Sequence, residues 1–293
     1  MPVIQSSKPK VFCSLEGAMI SLNQFECGIS AEVIKENLGT ESSVKKSLGA
    51  IIYDDFVFET GLNTKLTELT QKAWKGENTK LTGSFITTDE RLKANYEDIF
   101  LDSLLTETTI SECDATSKES AVFQFKIKPA LTHTQKGDGR LITIPKAQLQ
   151  KGILLKSNFR FELGNLPCTR VTKIDSFSVT TKLASESKGS NRYVDMTPTS
   201  IDFPNLYLTI SSVDLQAWLD WHKKCVIDGK NNSNNELSGR LVFLDRNLKD
   251  ELFAINLKGV GIFSLQRKLE SEKLPTFRVG LYCETMEIDI EEK

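Results

Sequence analysis

Residues 80–89 of the chain read Lys-Leu-Thr-Gly-Ser-Phe-Ile-Thr-Thr-Asp, and residues 236–245 read Glu-Leu-Ser-Gly-Arg-Leu-Val-Phe-Leu-Asp. Both stretches have a leucine, a small hydroxyl residue, a glycine and an apolar run that leads to an aspartate. A Leu-Lys pair follows each stretch at the same interval, starting at Leu92 and at Leu248. Because one offset relates all of these positions, the sequence predicts two copies of one domain.

A helix is predicted upstream of each stretch, because apolar residues recur there at intervals of three or four and so share one helical face. Gly76 and Gly229 follow the two helices and suit helix termination. The positions on the predicted faces are Leu66, Leu69, Ala73 and Trp74 in the first copy, and Leu215, Trp218, Leu219 and His222 in the second.

Matched strands are predicted around these helices, because apolar and polar residues alternate as they do on a strand with one buried face. The alternating positions are Val11, Cys13 and Leu15 against Phe159, Phe161 and Leu163; Phe56 and Phe58 against Leu206 and Leu208; and Phe123, Phe125 and Ile127 against Phe277, Val279 and Leu281. The predicted fold class is mainly β: two tandem antiparallel β-barrel or sandwich domains, each with one packed helix.

The predicted boundaries place the first domain at residues 1–134, a linker at 135–151 and the second domain at 152–293. Residues 141–145 of the linker are expected to form a short edge strand that ends at a proline. Residues 39–46 and 184–200 are expected to be exposed loops or hairpin tips. The alternating residues of the tail, 284–293, are expected to extend the last strand.

Composition narrows the class of protein. The chain has 293 residues and a formal net charge of -2, which argues against a nucleic-acid surface because that normally needs a basic excess. It has no apolar run of 18 residues or more, so no membrane insertion is expected. Residues 1–10 lack the apolar segment of a signal peptide, so assembly in the cytoplasm is expected.

The sequence predicts no catalytic, cofactor-binding or metal-binding residue. The six cysteines form no CxxC pair and are expected to be free core thiols. His222 and Cys225 share a helical face, but two further metal ligands would have to come from other elements, so packing beside Trp218 and Trp221 is favoured. The Gly259-Val260-Gly261 sequence has no third glycine and favours a bulge over a phosphate loop.

Two alternatives concern the aromatic residues and the histidines. Trp74, Trp218 and Trp221 could form a ligand-stacking platform, but their helical spacing favours core packing. His133 and His222 are the only histidines, which leaves an enzyme on a β-barrel scaffold a weak hypothesis.

The second copy resembles the phage tail-tube proteins, including their relatives in extracellular contractile injection systems. The first copy resembles them more loosely. The resemblance implies a tube-type fold, six tube domains per ring around a wide lumen, and no catalytic residues. The segments that carry it are residues 158–167, 170–179, 203–208, 239–245 and 279–288 in the second copy, and 56–62, 83–89 and 122–129 in the first.

The tandem arrangement departs from the single-domain tube subunit that the resemblance implies. Three chains would supply six domains, which would match a sixfold tube on one side and a threefold spike on the other; six chains would stack two rings or cap the tube. The resulting hypothesis is a structural, ring-forming junction protein that serves as hub, tube initiator or cap adaptor. Its expected partners are inner tube subunits and a baseplate, spike or cap component. The alternative hypothesis is a β-sandwich binding module, or cargo carried by such a system.

Overall fold

The computed structural model describes residues 9–37, 44–144, 154–187, 194–269 and 275–289. The elements of the first half are β1 (Val11–Leu15), β2 (Ala18–Leu22), β3 (Gln24–Glu26), β4 (Ile29–Asn37), β5 (Val44–Tyr53), β6 (Phe56–Thr60), α1 (Thr64–Trp74), β7 (Leu81–Thr88), β8 (Ala94–Ile110), β9 (Cys113–Asp114), β10 (Phe123–Lys128) and β11 (Leu131–Lys136). Those of the second half are β12 (Phe159–Leu163), β13 (Val171–Ile174), β14 (Phe177–Ser187), β15 (Val194–Asp202), β16 (Leu206–Ser211), α2 (Leu215–His222), β17 (Leu237–Leu244), β18 (Glu251–Lys268) and β19 (Thr276–Asp289).

The two halves share one strand order, except that β2 has no counterpart among the described strands of the second half, and every described pairing is antiparallel. The first half is ordered β2-β1-β7-β8-β10-β6-β3, with β11 continuing beside β8, and the second is ordered β12-β17-β18-β19-β16-β13. In each half the strand before the helix therefore lies next to the last long strand, and the first strand lies next to the strand after the helix. The mainly β fold predicted from the repeat is confirmed.

Irregularities in strand pairing recur at matching places in β8 and β18. The register with the neighbouring strand shifts next to Asp102 and next to Gly259, where φ is +47° and +60°. It shifts again on the other side of each strand, at Thr106 and at Phe263. The sequence interval from Asp102 to Gly259 is the same as that from Thr106 to Phe263. A bulge inserts a residue and increases the local twist, so β8 and β18 bend at the same places.

The interior of the molecule is one continuous apolar cluster that includes residues from both halves. In the first half the rings of Phe25, Phe56 and Phe100 surround Phe85 at centroid distances of 4.3, 5.0 and 5.2 Å. In the second half Phe243 and Phe253 are stacked at 4.6 Å. Of these side chains, Phe56 is one of the alternating strand positions predicted from the sequence.

The helix α1 forms as predicted. The side chain of Asn63 caps it by accepting a hydrogen bond from the Leu66 N–H at 3.2 Å, and Gly76 ends it at φ +80°. The prediction for α2 needs a correction. Its buried residues are Trp218 and Trp221, followed by Cys225 on a π-helical turn, whereas Leu219 is exposed. These three positions are three and four residues apart, so the buried face keeps ordinary helical spacing but includes Trp221 and Cys225 instead of Leu219 and His222.

Three further sequence expectations meet the structure in different ways. Residues 177–187 and 194–202 are strands, so the predicted loop at 184–200 is the end of a long hairpin, and residues 188–193 lie outside the described residues. The edge strand expected at 141–145 is reduced to a single bridge between Leu141 and Lys93, because this segment crosses the outer face of the sheet instead of extending it; residue 145 also lies outside. The tail extends β19 to Asp289 as expected, and residues 290–293 lie outside the described residues.

Candidate assembly surface

The hairpin formed by β14 and β15 belongs to the second half but pairs with the first. Phe177 lies opposite Ile110 and Thr180 lies opposite Glu107, so β14 extends the sheet of the first half along β8. The hydroxyl groups of Thr109 and Ser178 lie 2.7 Å apart across this pair. Since β10 already occupies the other edge of β8 at these positions, β14 takes the edge that β7 leaves uncovered.

Burial accompanies this pairing. Phe177 is 6% exposed, and Val179 and Thr181 on the same face of β14 are also buried. A fully buried aliphatic or aromatic side chain contributes about 1.5–3 kcal/mol. The docked hairpin is therefore part of the folded core and not an appended arm.

The helix α1 closes the same junction from the other side. The Gln71 Nε2 donates a hydrogen bond to the carbonyl oxygen of Ile288 in β19, at 2.9 Å. The ring of Trp74 meets Phe203 edge-on at 6.3 Å between centroids. One helix of the first half thus rests on the last strand of the second.

Ion pairs at the rim join the halves further. Glu112 follows β8, and its carboxylate lies 2.7 Å from the Lys173 ammonium in β13; Lys156 pairs with Glu119 at 2.7 Å. The hydrogen bond from Lys173 lowers the pKa of Glu112, and the bond to Glu112 raises the pKa of Lys173. Strand β9 pairs with β13 beside this site, so backbone and side-chain bonds act together.

The hairpin formed by β4 and β5 is the counterpart of the docked hairpin, since it follows β3 as β14 follows β13. Within the described residues, β4 and β5 pair only with each other. Opposite pairing of Val33 with Leu48 and of Ala31 with Ile51 places these side chains on one face. Leu48 is 77% exposed and Ile51 is 59% exposed, as is Ile29 at 54%. This apolar hairpin face, defined by Ile29, Val33, Leu48 and Ile51, is not covered by any described part of the chain.

In the first half, β14 pairs with residues 107–110 of β8. The sequence interval that separates the bulges of β8 from those of β18 makes residues 264–267 of β18 the counterpart of residues 107–110, and this edge is also uncovered. Residues 264–267 pair with β19 on one side, and the pairing of β17 with β18 ends at Val260. In the described part of the chain no strand occupies the second side of residues 264–267. We call this segment the open edge of β18.

The residues considered for chemistry from the sequence lie apart or within the core. His133 is exposed on β11, while Trp74, Trp218 and Trp221 are buried, as core packing predicted. The Trp218 Nε1 donates to the Pro167 carbonyl oxygen at 3.1 Å. The described residues contain no group of three or more His, Cys, Asp or Glu side chains placed to hold a metal ion.

The cysteines are free thiols, four of them buried. Burial raises the pKa of Cys113 to about 12 and, with help from Glu284, that of Cys283 to about 11. Such thiols are poorly nucleophilic because the thiolate is the reactive form. In the described ranges, no helix combines the length and the apolarity that a membrane crossing requires.

Sequence reasoning did not predict the strands β4 and β5. A signal exists, because Ile29, Ala31 and Val33 alternate with polar residues, and Ile51 and Ile52 lie in the facing segment. It lies between charged residues and glycines, which lower strand propensity. The open edge of β18 has no sequence signal, because an edge is defined by the absence of a neighbouring strand.

Comparison with known proteins finds similarity to chains of solved structures. No family model matches the chain, and no curated protein matches it. A chain of the anti-feeding prophage (AFP) baseplate is 14% identical, with 44% of this chain and 93% of that chain covered and a TM-score of 0.40. A chain of the sheath-tube complex of PVC, an extracellular contractile injection system, is 18% identical, with 46% and 91% covered and a TM-score of 0.39. The AFP tube terminating cap is 13% identical, with 52% and 96% covered and a TM-score of 0.38.

Each of these chains is covered almost whole by about half of the present chain. The matches are to mainly β proteins with tube-like folds, which is the class that the sequence resemblance named.

Proposed function

We propose that the chain is a structural, ring-forming component of a contractile injection system or phage tail, which joins the inner tube to a baseplate, spike or cap component. We also propose that residues 1–134 and 152–293 are two tube-like domains joined by 135–151. The setting comes from the sequence resemblance. One structural observation supports the ring: the second hairpin is docked on β8, and uncovered counterparts of both the hairpin and the edge are present on the same chain.

The proposed contact repeats the internal junction between chains. The β4–β5 hairpin of one chain pairs with the open edge of β18 in the next chain, as β14 pairs with β8 within the chain. Because the two surfaces differ, the contact is heterologous, and a ring forms when the rotation closes. Closure also removes the exposed strand edge, which otherwise invites uncontrolled association.

The two halves also present unlike outer surfaces, which suits a junction between unlike components. Residues 137–144 cross the outer face of the first half, where Ile142 is buried against Phe12, Ile86 and Ala94. The corresponding face of the second half carries Arg240, which pairs with Glu251 and Asp289 at 3.2 Å each. Both faces carry ion pairs, since Arg140 of the crossing segment lies 3.1 Å from Glu97 in the first half. The two faces differ because the crossing segment places Ile142 over the face of the first half.

The experiment measures assembled mass by native mass spectrometry and sedimentation, for the wild type and for the double variant Leu48→Asp, Ile51→Asp. The wild type should form a trimer or a hexamer. The double variant should associate at least about 100-fold more weakly, because each buried Leu or Ile side chain contributes about 1.5–3 kcal/mol and 1.4 kcal/mol is tenfold in affinity.

The matched control is Leu141→Asp, which also replaces an exposed leucine but lies away from the hairpin; it should assemble like the wild type. Circular dichroism of each variant establishes that the fold is retained. A wild type that stays monomeric at every concentration, with and without tube subunits, would overturn the proposal. So would a double variant that assembles normally.

A further inference from the structure

We infer that the outer face of α2, formed by Leu219, His222 and Val226, is covered in the assembled ring by the first half of a second copy of this chain, where it contacts Tyr96 and β11. The inference rests on the proposed ring. It adds a second contact between neighbouring chains, separate from the proposed pairing of the β4–β5 hairpin with the open edge of β18.

The two helices can be aligned through the apolar residue that each buries most deeply. Leu66 is the most buried apolar residue of α1 and Trp218 that of α2. With these two set equal, Thr67, Thr70 and Trp74 correspond to Leu219, His222 and Val226, and the buried Ala73 corresponds to the buried Cys225.

In the first half this face of the helix is covered by the second half. Thr67 and Thr70 border a small gap that Phe253 and Ile288 close from the second half. Trp74 is buried against Phe203. The face of α1 is therefore a contact surface between the halves.

In the second half the same face is uncovered and more apolar. Leu219 is 37% exposed and Val226 is 42% exposed, and the neighbouring Ile227 is also exposed. Two threonines and a tryptophan that are buried on α1 thus correspond to partly exposed apolar side chains and a histidine on α2. Exposed apolar side chains that cluster on one face indicate an interaction surface.

The repeat also identifies what should cover this face. Phe253 is separated from Tyr96 by the same sequence interval that separates the bulges of β18 from those of β8, so the two residues correspond. Phe253 is buried, whereas Tyr96 is 54% exposed. Ile288 lies opposite Ile255, and Thr134 in β11 lies opposite Asp98, the counterpart of Ile255. Thr134 is exposed as well.

The chain therefore carries an uncovered face on α2. It also carries, at Tyr96 and β11, an uncovered surface that corresponds to the one covering α1. This pairing favours a second copy as the occupant. A tube or cap subunit on the α2 face is the competing outcome that the experiment detects.

The experiment is disulfide cross-linking of the double variant Lys223→Cys, Thr134→Cys. Lys223 corresponds to Gln71, which contacts Ile288 directly, and both substituted residues are exposed. Cys27 and Cys168 are first replaced by serine, because they are the native cysteines that are not buried. Mild oxidation of the assembled full-length chain should convert the monomer band into covalently linked chains on a non-reducing gel.

The matched control is Lys224→Cys, Thr134→Cys, in which the introduced thiol lies one residue further along the same helix and points away from the face. It should leave the monomer band largely unchanged. A ring of the expected mass without cross-links in the Lys223 variant overturns the helix contact and leaves the proposed ring standing. Cross-links from position 223 to an added tube or cap subunit overturn it too, and a monomeric mass overturns both proposals.

Discussion

The two long hairpins occupy equivalent places in the two halves, yet one is buried and the other is exposed. The β14–β15 hairpin lies on β8 with Phe177 and Val179 in the core. The β4–β5 hairpin displays Leu48 and Ile51 to solvent, and in the described ranges it pairs with no third strand. The chain thus contains an occupied and an unoccupied version of the same joint.

The exposed hairpin carries apolar side chains, as does the hairpin that is buried on β8. A two-stranded hairpin alone is marginally stable in water, and a long apolar edge promotes association. The internal joint shows how the same element is stabilised once a neighbouring sheet accepts it. Comparison of the two halves gives three predictions: one for the two hairpins, one for the matched bulges and one for the ion pair that joins the halves.

The largest effect is expected from Phe177→Ala in the docked hairpin. Removing a buried phenylalanine side chain should lower the free energy of unfolding by about 3–5 kcal/mol, since both transfer energy and a cavity are lost. The matched change Ile29→Ala in the exposed hairpin should alter the stability of the unassembled chain by less than about 0.5 kcal/mol. Urea unfolding at concentrations below assembly measures both. Equal losses of unfolding free energy in the two variants would show that the two hairpins contribute equally to stability, contrary to the difference in burial that the structure shows.

A smaller effect is expected at the matched bulges of β8 and β18. Gly259→Ala should cost about 1–2 kcal/mol, because the residue adopts a positive φ that an alanine side chain opposes. The added Cβ would also stand 2.5 Å from the Glu284 side chain. Asp102→Gly at the matching position should change stability by less than about 1 kcal/mol, since relief of the positive φ is offset by a more flexible unfolded chain. Thermal unfolding of the two variants provides the measurement, and a neutral Gly259→Ala would show that this bulge tolerates a side chain.

The smallest effect is expected from the ion pair of Glu112 and Lys173 at the rim of the junction. The folded state lowers the pKa of Glu112, so its contribution is full at neutral pH and is lost as the pH falls through that lowered value. The folded state raises the pKa of Lys173, so the pair is also lost at alkaline pH as the lysine deprotonates. A partly exposed pair contributes about 0.2–1 kcal/mol.

Glu112→Gln should therefore be less stable than the wild type at pH 7, and the difference should disappear as the pH falls through the lowered pKa of Glu112. Chemical unfolding of both proteins across this range measures the difference. A gap that persists undiminished in acid would show that Glu112 acts through packing rather than charge.

Much of the fold could be predicted from the sequence, because it rests on local patterns. The stretch at 80–89 and its copy at 236–245 define the duplication, and the alternation at Phe123, Phe125 and Ile127 matches strand β10. The predicted face of α2 was wrong, because its buried residues are Trp218, Trp221 and Cys225. Trp221 and His222 lie three and four residues after Trp218, so both faces fit helical spacing and the spacing alone does not choose between them.

The candidate surface was largely beyond sequence reasoning. The docking of β14 on β8 joins residues that lie far apart in the chain, and no local pattern encodes such a pairing. The exposure of Leu48 is equally invisible, because an apolar residue on a strand predicts burial. Only the folded structure shows that the β14–β15 hairpin pairs with β8, whereas β4 and β5 pair only with each other in the described residues.

The matched bulges have a consequence for how such duplications are traced. Side chains at corresponding positions have diverged in size and charge, as Ser84 and Arg240 illustrate, whereas the places where β8 and β18 depart from regular hydrogen bonding have been kept. The positions of the bulges therefore match between the two halves where the residue types do not. Aligning the positions of backbone irregularities, instead of residue types, should therefore identify ancestral relatives of this chain after their sequence identity has faded.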